Sequence, residues 1–201
     1  MHITDLRLTP EKLYLFNQGK YYHSYRIFGA HPVAGGVRFT VWAPDVKAVR
    51  VIGDFNGWEG TSLTRQGSTG IWSAVLPEAR EGDLYKYRIT TAAGRVFDKA
   101  DPYAFSAEVR PGTASRVASL DGYHWNDGAW RSAQKRKTTP GPMNIYEVHL
   151  GSWRQHENPE NPDLPFLSYR ELAEQLIPYV RDMGYTHLEL LPVMEHPFDG
   201  S

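Results

Sequence analysis

The feature that most constrains the fold is a series of short β-rich segments that recur roughly every dozen residues. Turn-forming residues separate them, as at Pro44-Asp45 and Asn56-Gly57. Segments of this length and spacing are typical of antiparallel strands joined by short connections. The predicted strands cover residues 22–29, 36–43, 47–53, 70–76, 83–91, 95–98 and 114–119.

Two of these segments alternate in polarity, which predicts strands that are buried on one face. The second segment alternates Val37, Phe39 and Val41 with Arg38, Thr40 and Trp42. The fifth segment alternates Tyr85, Tyr87 and Ile89 with Leu84, Lys86 and Arg88. About seven strands of this kind favour a mainly β fold, an immunoglobulin-like antiparallel β-sandwich.

The chain on either side of the predicted sandwich has a different pattern. Residues 1–20 form a lead-in with a short predicted helix over 9–16, which Thr9 can cap. The sandwich is predicted to occupy residues 21–125. Residues 126–142 are rich in basic residues, Thr and Pro, and this composition predicts an exposed linker.

After the linker, the pattern predicts a strand, a helix and a second strand. The strands are expected over 144–150 and 186–193. Between them, Ser168 and Glu171 form a capping-box pattern, and apolar residues follow at helical spacing. This order is typical of one βαβ unit of a parallel sheet, so residues 143–201 are predicted to be the truncated start of a (β/α)8 barrel.

The composition excludes several classes of function. The chain has no cysteine, which excludes disulfides, thiolate catalysis and Cys-ligated metal sites. The formal net charge of −1 gives no basic excess for binding nucleic acid or an anionic membrane. Because no run approaches the roughly 20 apolar residues of a membrane span, we expect a soluble, cytoplasmic protein. Because no histidine has metal-binding spacing, we expect no metal, and we expect no other cofactor.

One turn has the chemistry of a sugar-binding surface. The run Gly53–Trp58 follows a predicted strand and ends in a tryptophan, whose flat ring suits the apolar C–H face of a pyranose. Asn56 and Lys86 are polar side chains of the kind that bind sugar hydroxyls. The alternative is that Trp58 only covers one end of the sandwich.

Several motifs, in order along the chain, resemble a known family. Gly36–Pro44, Gly53–Trp58 and Lys99–Tyr103 resemble the amino-terminal β-sandwich of bacterial 1,4-α-glucan (glycogen) branching enzymes, which belongs to carbohydrate-binding module family 48. Ile145–Trp153 and Leu188–Pro197 resemble the first two barrel strands of the same enzymes, which belong to glycoside hydrolase family 13.

The resemblance implies an activity for the whole enzyme. Branching enzymes cleave an α-1,4 link and transfer the segment to a 6-hydroxyl, and a retaining mechanism of this type needs two carboxyl groups about 5 Å apart. In the family, an aspartate nucleophile, a glutamate acid–base and a second aspartate lie on later barrel strands than this chain contains. We therefore predict an amino-terminal fragment of a branching enzyme that has no catalytic residue, is inactive alone and contacts α-glucan such as glycogen or maltooligosaccharide.

The resemblance also implies roles for individual residues. Trp58 and Lys86 match glucan-binding positions of dedicated glycogen-binding modules. A second tryptophan of those modules is missing here, and Val96 or Phe97 stands in its place. That stacking surface is either lost or replaced by Phe97, and the predicted affinity is weak. The carboxylates near the two barrel strands are predicted to support the barrel or its loops; these are Glu147, Glu189, Glu195 and Asp199.

Other functions stay open from the sequence. The chain could be a stand-alone glycogen- or starch-binding or regulatory protein, or a structural sandwich without affinity for saccharides. It could also be a fragment of a debranching-type family 13 enzyme. The barrel-like pattern of residues 143–193 favours the branching-enzyme fragment over a stand-alone module, and the oligomeric state is left open.

Overall fold

The computed structural model of the protein describes residues 7–109, 111–121, 123–135, 141–157 and 165–194. The chain divides into two compact units, Met1–His124 and Trp125–Ser201. Each unit has its own sheet structure and its own apolar core. Among the described residues, no helix has the length and apolar character needed to cross a membrane.

The first unit is an antiparallel β-sandwich, as predicted. Its strands are β1 (Gly29–Val33), β2 (Gly36–Trp42), β3 (Val46–Gly53), β4 (Thr61–Ser62), β5 (Thr64–Arg65), β6 (Ile71–Leu76), β7 (Leu84–Thr91), β8 (Val96–Lys99), β9 (Ser106–Ala107) and β10 (Ser115–Arg116). Over the described ranges, one sheet has the order β1-β2-β6-β5. The other has the order β4-β3-β7-β10-β9, and β8 also pairs with β7. Side chains of both sheets meet in one core that includes Phe39, Val51 and Tyr85.

The lead-in contains the predicted helix, but the first predicted strand is wrong. Helix α1 spans Pro10–Asn17, and the Thr9 side chain accepts a hydrogen bond from the Lys12 backbone N–H at 3.3 Å. Ser24–Arg26 form a 3₁₀ turn, and β1 begins only at Gly29. The apolar residues in this stretch belong instead to a second cluster, which contains Leu13, Ile27, Phe28 and Ile71.

Strand β2 is buried on both faces, whereas the alternation in the sequence predicts one. Phe39 lies in the core of the sandwich, and Thr40 on the opposite face is equally inaccessible. Arg38 lies on the same face as Thr40 and donates to the Arg26 carbonyl at 3.3 Å. The chain before β1 therefore packs on the side of this sheet that points away from the core, which the polarity of β2 alone does not reveal. Strand β7 behaves as predicted, with Tyr85 and Tyr87 inward.

A buried carboxylate organises the centre of the sandwich. Asp101 is 6% exposed, and its Oδ2 accepts hydrogen bonds from the hydroxyls of Tyr85 at 2.8 Å and Tyr87 at 3.1 Å. Its Oδ1 accepts from the Tyr103 N–H, and its own N–H donates to Ser115 Oγ, both at 2.8 Å. Burial raises the pKa of Asp101, and these donors only partly oppose that effect. The carboxylate thus ties the chain after β8 to β7, and the backbone N–H of the same residue ties it to β10.

The raised pKa of Asp101 predicts a pH dependence of stability. The folded protein holds this proton at pH values where the unfolded chain has released it, so the stabilising effect of protonation is full below the unfolded pKa and is lost as pH rises through the folded pKa. Asp101→Asn cannot ionise. As the pH falls from 7 to 4, we therefore expect the unfolding free energy of the unaltered chain to rise relative to that of Asp101→Asn. Denaturant titrations over this range measure it. Parallel profiles would contradict a raised pKa.

The second unit contains the predicted βαβ arrangement. Its elements are α2 (Gly128–Lys135), β11 (Ile145–Val148), α3 (Leu150–Trp153), α4 (Tyr169–Asp182) and β12 (His187–Leu190). Strands β11 and β12 pair in parallel, and Val148 packs with Leu176 and Val180 of α4. The capping box at Ser168 forms as predicted. Helix α2 lies inside the predicted linker, and α3 begins at Leu150, the last residue of the first predicted strand of this unit. The domain boundaries remain a prediction.

Candidate functional site

The turn after β3 holds Trp58 in an unusual backbone conformation. A 3₁₀ turn covers Asp54–Asn56, and both Gly57 and Trp58 then have positive φ angles, of 58° and 63°. Non-glycine residues seldom adopt this left-handed conformation, and it tends to occur at functional sites. The Trp58 N–H donates to the Gly53 carbonyl at 3.0 Å, which closes the turn. The Trp58 side chain is half-buried.

Asn56 is engaged inside the turn. Its Oδ1 accepts from the Gly53 N–H at 3.0 Å. Its Nδ2 donates to the Val51 carbonyl at 2.9 Å and to the Thr61 hydroxyl at 3.1 Å. Both amide protons are therefore used within the protein. Asn56 shapes the turn that presents Trp58, which is a different task from the sugar contact predicted for it.

Asp54 connects the tryptophan to the neighbouring strand. Its Oδ1 accepts a hydrogen bond from Trp58 Nε1 at 3.1 Å, and its Oδ2 accepts from the Leu84 backbone N–H at 2.8 Å. Leu84 is the first residue of β7, the strand that also carries Lys86. The turn and the start of β7 are thereby held together.

Lys86 lies on the face of this sheet that points away from the core, which we call the outer face. It alternates with the inward Tyr85 and Tyr87, and its Nζ donates to the Thr113 hydroxyl at 2.7 Å. On the same face, Arg88 forms a two-pronged ion pair with Asp98, with both hydrogen bonds at 2.8 Å. Hydrogen bonding to Arg88 lowers the pKa of the Asp98 carboxyl, so the pair is charged at neutral pH.

Phe97 lies on the opposite face from Lys86. It pairs directly with Ile89, and residues that pair directly in antiparallel strands place their side chains on the same face. Ile89 packs against the core, so Phe97 extends the inner face at the edge of the sandwich. Val96, the residue before Phe97, is on the outer face; it pairs with Thr90, four residues along β7 from Lys86, and is 55% exposed. Phe97 is therefore not brought together with Lys86.

Two of the four carboxylates near the predicted barrel strands lie among the described residues. Glu147 and Glu189 are register partners on β11 and β12, on the face opposite Tyr146 and Val148, which pack toward α4. Both are exposed. Glu195 and Asp199 lie outside the described residues. Within the described part of the chain, no cluster of three or more His, Asp and Glu side chains could hold a metal ion.

Sequence reasoning missed two residues that contact the predicted site residues: Asp54, which bonds Trp58, and Thr113, which bonds Lys86. Asp54 stands inside the Gly53–Trp58 motif, and its position four residues before a tryptophan was the available signal. Thr113 comes from a loop far along the chain, 27 residues after Lys86, and no local pattern marks it. Only the folded arrangement brings it to the lysine.

Comparisons with known proteins match the sandwich to one family. The carbohydrate-binding module 48 (isoamylase N-terminal domain) family matches residues 27–104. The chain is 51% identical over 200 residues to the 1,4-alpha-glucan branching enzyme GlgB of Bacillus caldolyticus, covering 96% of this chain and 29% of that protein. It is 53% identical over 195 residues to GlgB of Halothermothrix orenii, covering 94% of this chain and 30% of that protein.

Solved structures agree on the fold. A pullulanase from Klebsiella pneumoniae complexed with maltotriose matches with a TM-score of 0.58 and 25% identity, covering 84% of this chain and 18% of that one. The identity to GlgB proteins over nearly the whole chain confirms the resemblance to branching enzymes in both units. The chain spans about 30% of the length of the curated relatives it matches.

Proposed function

We propose that this chain, whose residues 27–104 match carbohydrate-binding module family 48, binds α-glucan on the outer face around Trp58 and Lys86. The observation that carries the proposal is the turn itself: a strained tryptophan, held by hydrogen bonds to Gly53 and Asp54, beside a strand with an outward lysine. An aromatic ring supplies the flat apolar surface for a pyranose, and the ammonium group supplies donors for its hydroxyls.

The roles within this surface differ from residue to residue. Trp58 is the stacking platform and Lys86, oriented by Thr113, is the polar contact. Asn56 builds the turn, because its amide protons are already bonded inside the protein. Val96 lies on the same face farther along β7, whereas Phe97 belongs to the other face. One aromatic platform instead of two supports weak binding.

We further propose that the activity this chain serves is glucan branching, the transfer of an α-1,4-linked segment to a 6-hydroxyl. Identity of about half over nearly the whole chain to proteins named as branching enzymes supports this over a pullulanase-type role, for which the identity is 25%. The parallel pair β11–β12 with α4 also supports it, because a stand-alone binding module has no need of a βαβ unit. The role proposed for these 201 residues is to contact the glucan.

Replacing Trp58 tests the proposal. We expect the unaltered chain to bind maltoheptaose weakly and Trp58→Ala to bind at least about tenfold more weakly, since a central aromatic anchor is lost. Isothermal titration calorimetry measures both affinities. The matched control is Trp130→Ala, which removes a tryptophan that is 65% exposed on α2 and should leave binding unchanged. Equal binding by the unaltered chain and Trp58→Ala would remove Trp58 from the site, and no binding by the unaltered chain would refute the proposed function.

A further inference from the structure

We propose that Asp54 is a positioning residue of the glucan surface: its carboxylate fixes the indole ring of Trp58 in the orientation that receives a sugar. The inference rests on the proposed function, because the orientation of Trp58 matters for binding only if the ring contacts the ligand. The predicted sugar contacts, Trp58, Lys86, Asn56 and Phe97, do not include Asp54.

The geometry shows how one carboxylate can set the ring. Each of its oxygens has a different donor: Oδ1 receives the indole N–H at 3.1 Å and Oδ2 receives the Leu84 backbone N–H at 2.8 Å. These donors are 26 residues apart in the chain, since one follows β3 and the other begins β7. Leu84 is two residues before Lys86, so both point to the outer face. Asp54 therefore holds the aromatic platform relative to the strand that carries the lysine.

The backbone of the turn leaves the ring in need of such a contact. The left-handed conformation at Gly57 and Trp58 is held by backbone bonds and by Asn56, but these bonds fix only the main chain. The side chain of a half-buried tryptophan still has rotational freedom about two bonds. A hydrogen bond from its N–H to a charged acceptor removes that freedom in the free protein, and ordering before binding increases affinity.

A carboxylate beside a sugar platform could instead bond a sugar hydroxyl directly. In that case Asp54 would matter whatever aromatic residue stood at position 58. If Asp54 acts through the indole N–H, its effect must disappear when that N–H is removed. The Trp58→Phe variant keeps an aromatic face and has no N–H, so it separates the two roles.

The experiment measures maltoheptaose affinity by calorimetry in a double-mutant cycle. We expect Asp54→Ala to weaken binding about fivefold, and to change the affinity of the Trp58→Phe variant by less than about twofold. Asp54→Asn keeps an oxygen that can accept from the indole, and we expect intermediate affinity. The control is Asp45→Ala: Asp45 is likewise exposed and stands at the other end of β3, so affinity should not change.

A spectroscopic readout follows the contact itself. The Hε1 resonance of Trp58, assigned by its absence in Trp58→Phe, should move upfield in Asp54→Ala. The melting temperature should fall only slightly, because the one other bond that is lost, from the Leu84 N–H, is exposed. Full affinity in Asp54→Ala, or the same loss in the Trp58→Phe background, would overturn the positioning role while leaving the proposed function intact. Failure of the unaltered chain to bind maltoheptaose would overturn both.

Discussion

Replacing Asp101 with alanine is expected to lower the unfolding free energy of the sandwich by about 3–5 kcal/mol, because two buried tyrosine hydroxyls and one backbone N–H lose their acceptor. Tyr85 and Tyr87 are almost completely inaccessible, so water cannot replace the carboxylate without opening the core. Tyr87 keeps only a long contact of 3.4 Å to the Thr40 carbonyl. Removing a carboxylate whose pKa is raised by burial returns some desolvation energy, but the unpaired donors dominate.

Thermal and denaturant unfolding of the 201-residue chain measure this loss, which corresponds to a fall in melting temperature of about 10 °C or more. The control is Asp98→Ala, three residues earlier, which removes a partly exposed ion pair with Arg88 and should cost at most about 1 kcal/mol. Adding Tyr85→Phe to Asp101→Ala should restore part of the stability, since it removes one stranded hydroxyl. An Asp101→Ala variant no less stable than Asp98→Ala would show that the network does not hold the core.

The contrast between these two aspartates shows where sequence reasoning reaches its limit. Asp98 lies within β8 and Asp101 stands two residues after its end. In the sequence, the run Lys99–Tyr103 indicates only the family resemblance. Nothing local distinguishes a buried acceptor from a surface ion pair, because Asp101 is buried by residues of β7 and β10. The alternation of β7 did predict that Tyr85 and Tyr87 face inward. What it could not supply was the partner for their hydroxyls.

In the candidate site too, local features could be predicted from the sequence, whereas features that depend on strand pairing could not. The turn that ends in Trp58 could be predicted, since turn chemistry is local and the motif lies in one stretch of chain, and the role of Trp58 as a sugar platform stays a proposal. The family resemblance predicts Phe97 as a second stacking ring, but the register Ile89–Phe97 places it on the other face. Register depends on pairing between strands, and a shift of one residue reverses every side chain. The burial of β2 on both faces could not be predicted for a related reason, because the chain before β1 that contacts Arg38 is separate in sequence from β2.

Gly36 gives the second large effect expected from the structure. Strands β1 and β2 form a hairpin whose tight turn includes Gly35 and Gly36, with φ angles of 91° and 135°. A Cβ on Gly36 would lie 2.1 Å from the Leu76 carbonyl oxygen and 2.7 Å from the Pro77 Cα. Because both neighbours are backbone, neither can rotate away. A Cβ on Gly35 would meet nothing within 4 Å.

We therefore expect Gly36→Ala to destabilise the sandwich by at least about 3 kcal/mol, through strain in the backbone plus displacement of the β2–β6 pairing at Leu76. Gly35→Ala, its matched control, meets only the conformational penalty and should cost about 1 kcal/mol. Denaturant unfolding compares the two, and amide exchange of β1 and β6 shows whether the loss begins at this edge. Equal losses of unfolding free energy in the two variants would mean that the φ angle alone determines the effect and that the Leu76 backbone moves away from the new Cβ at no energetic cost. The sequence shows two adjacent glycines, and only the position of β6 makes one of them irreplaceable.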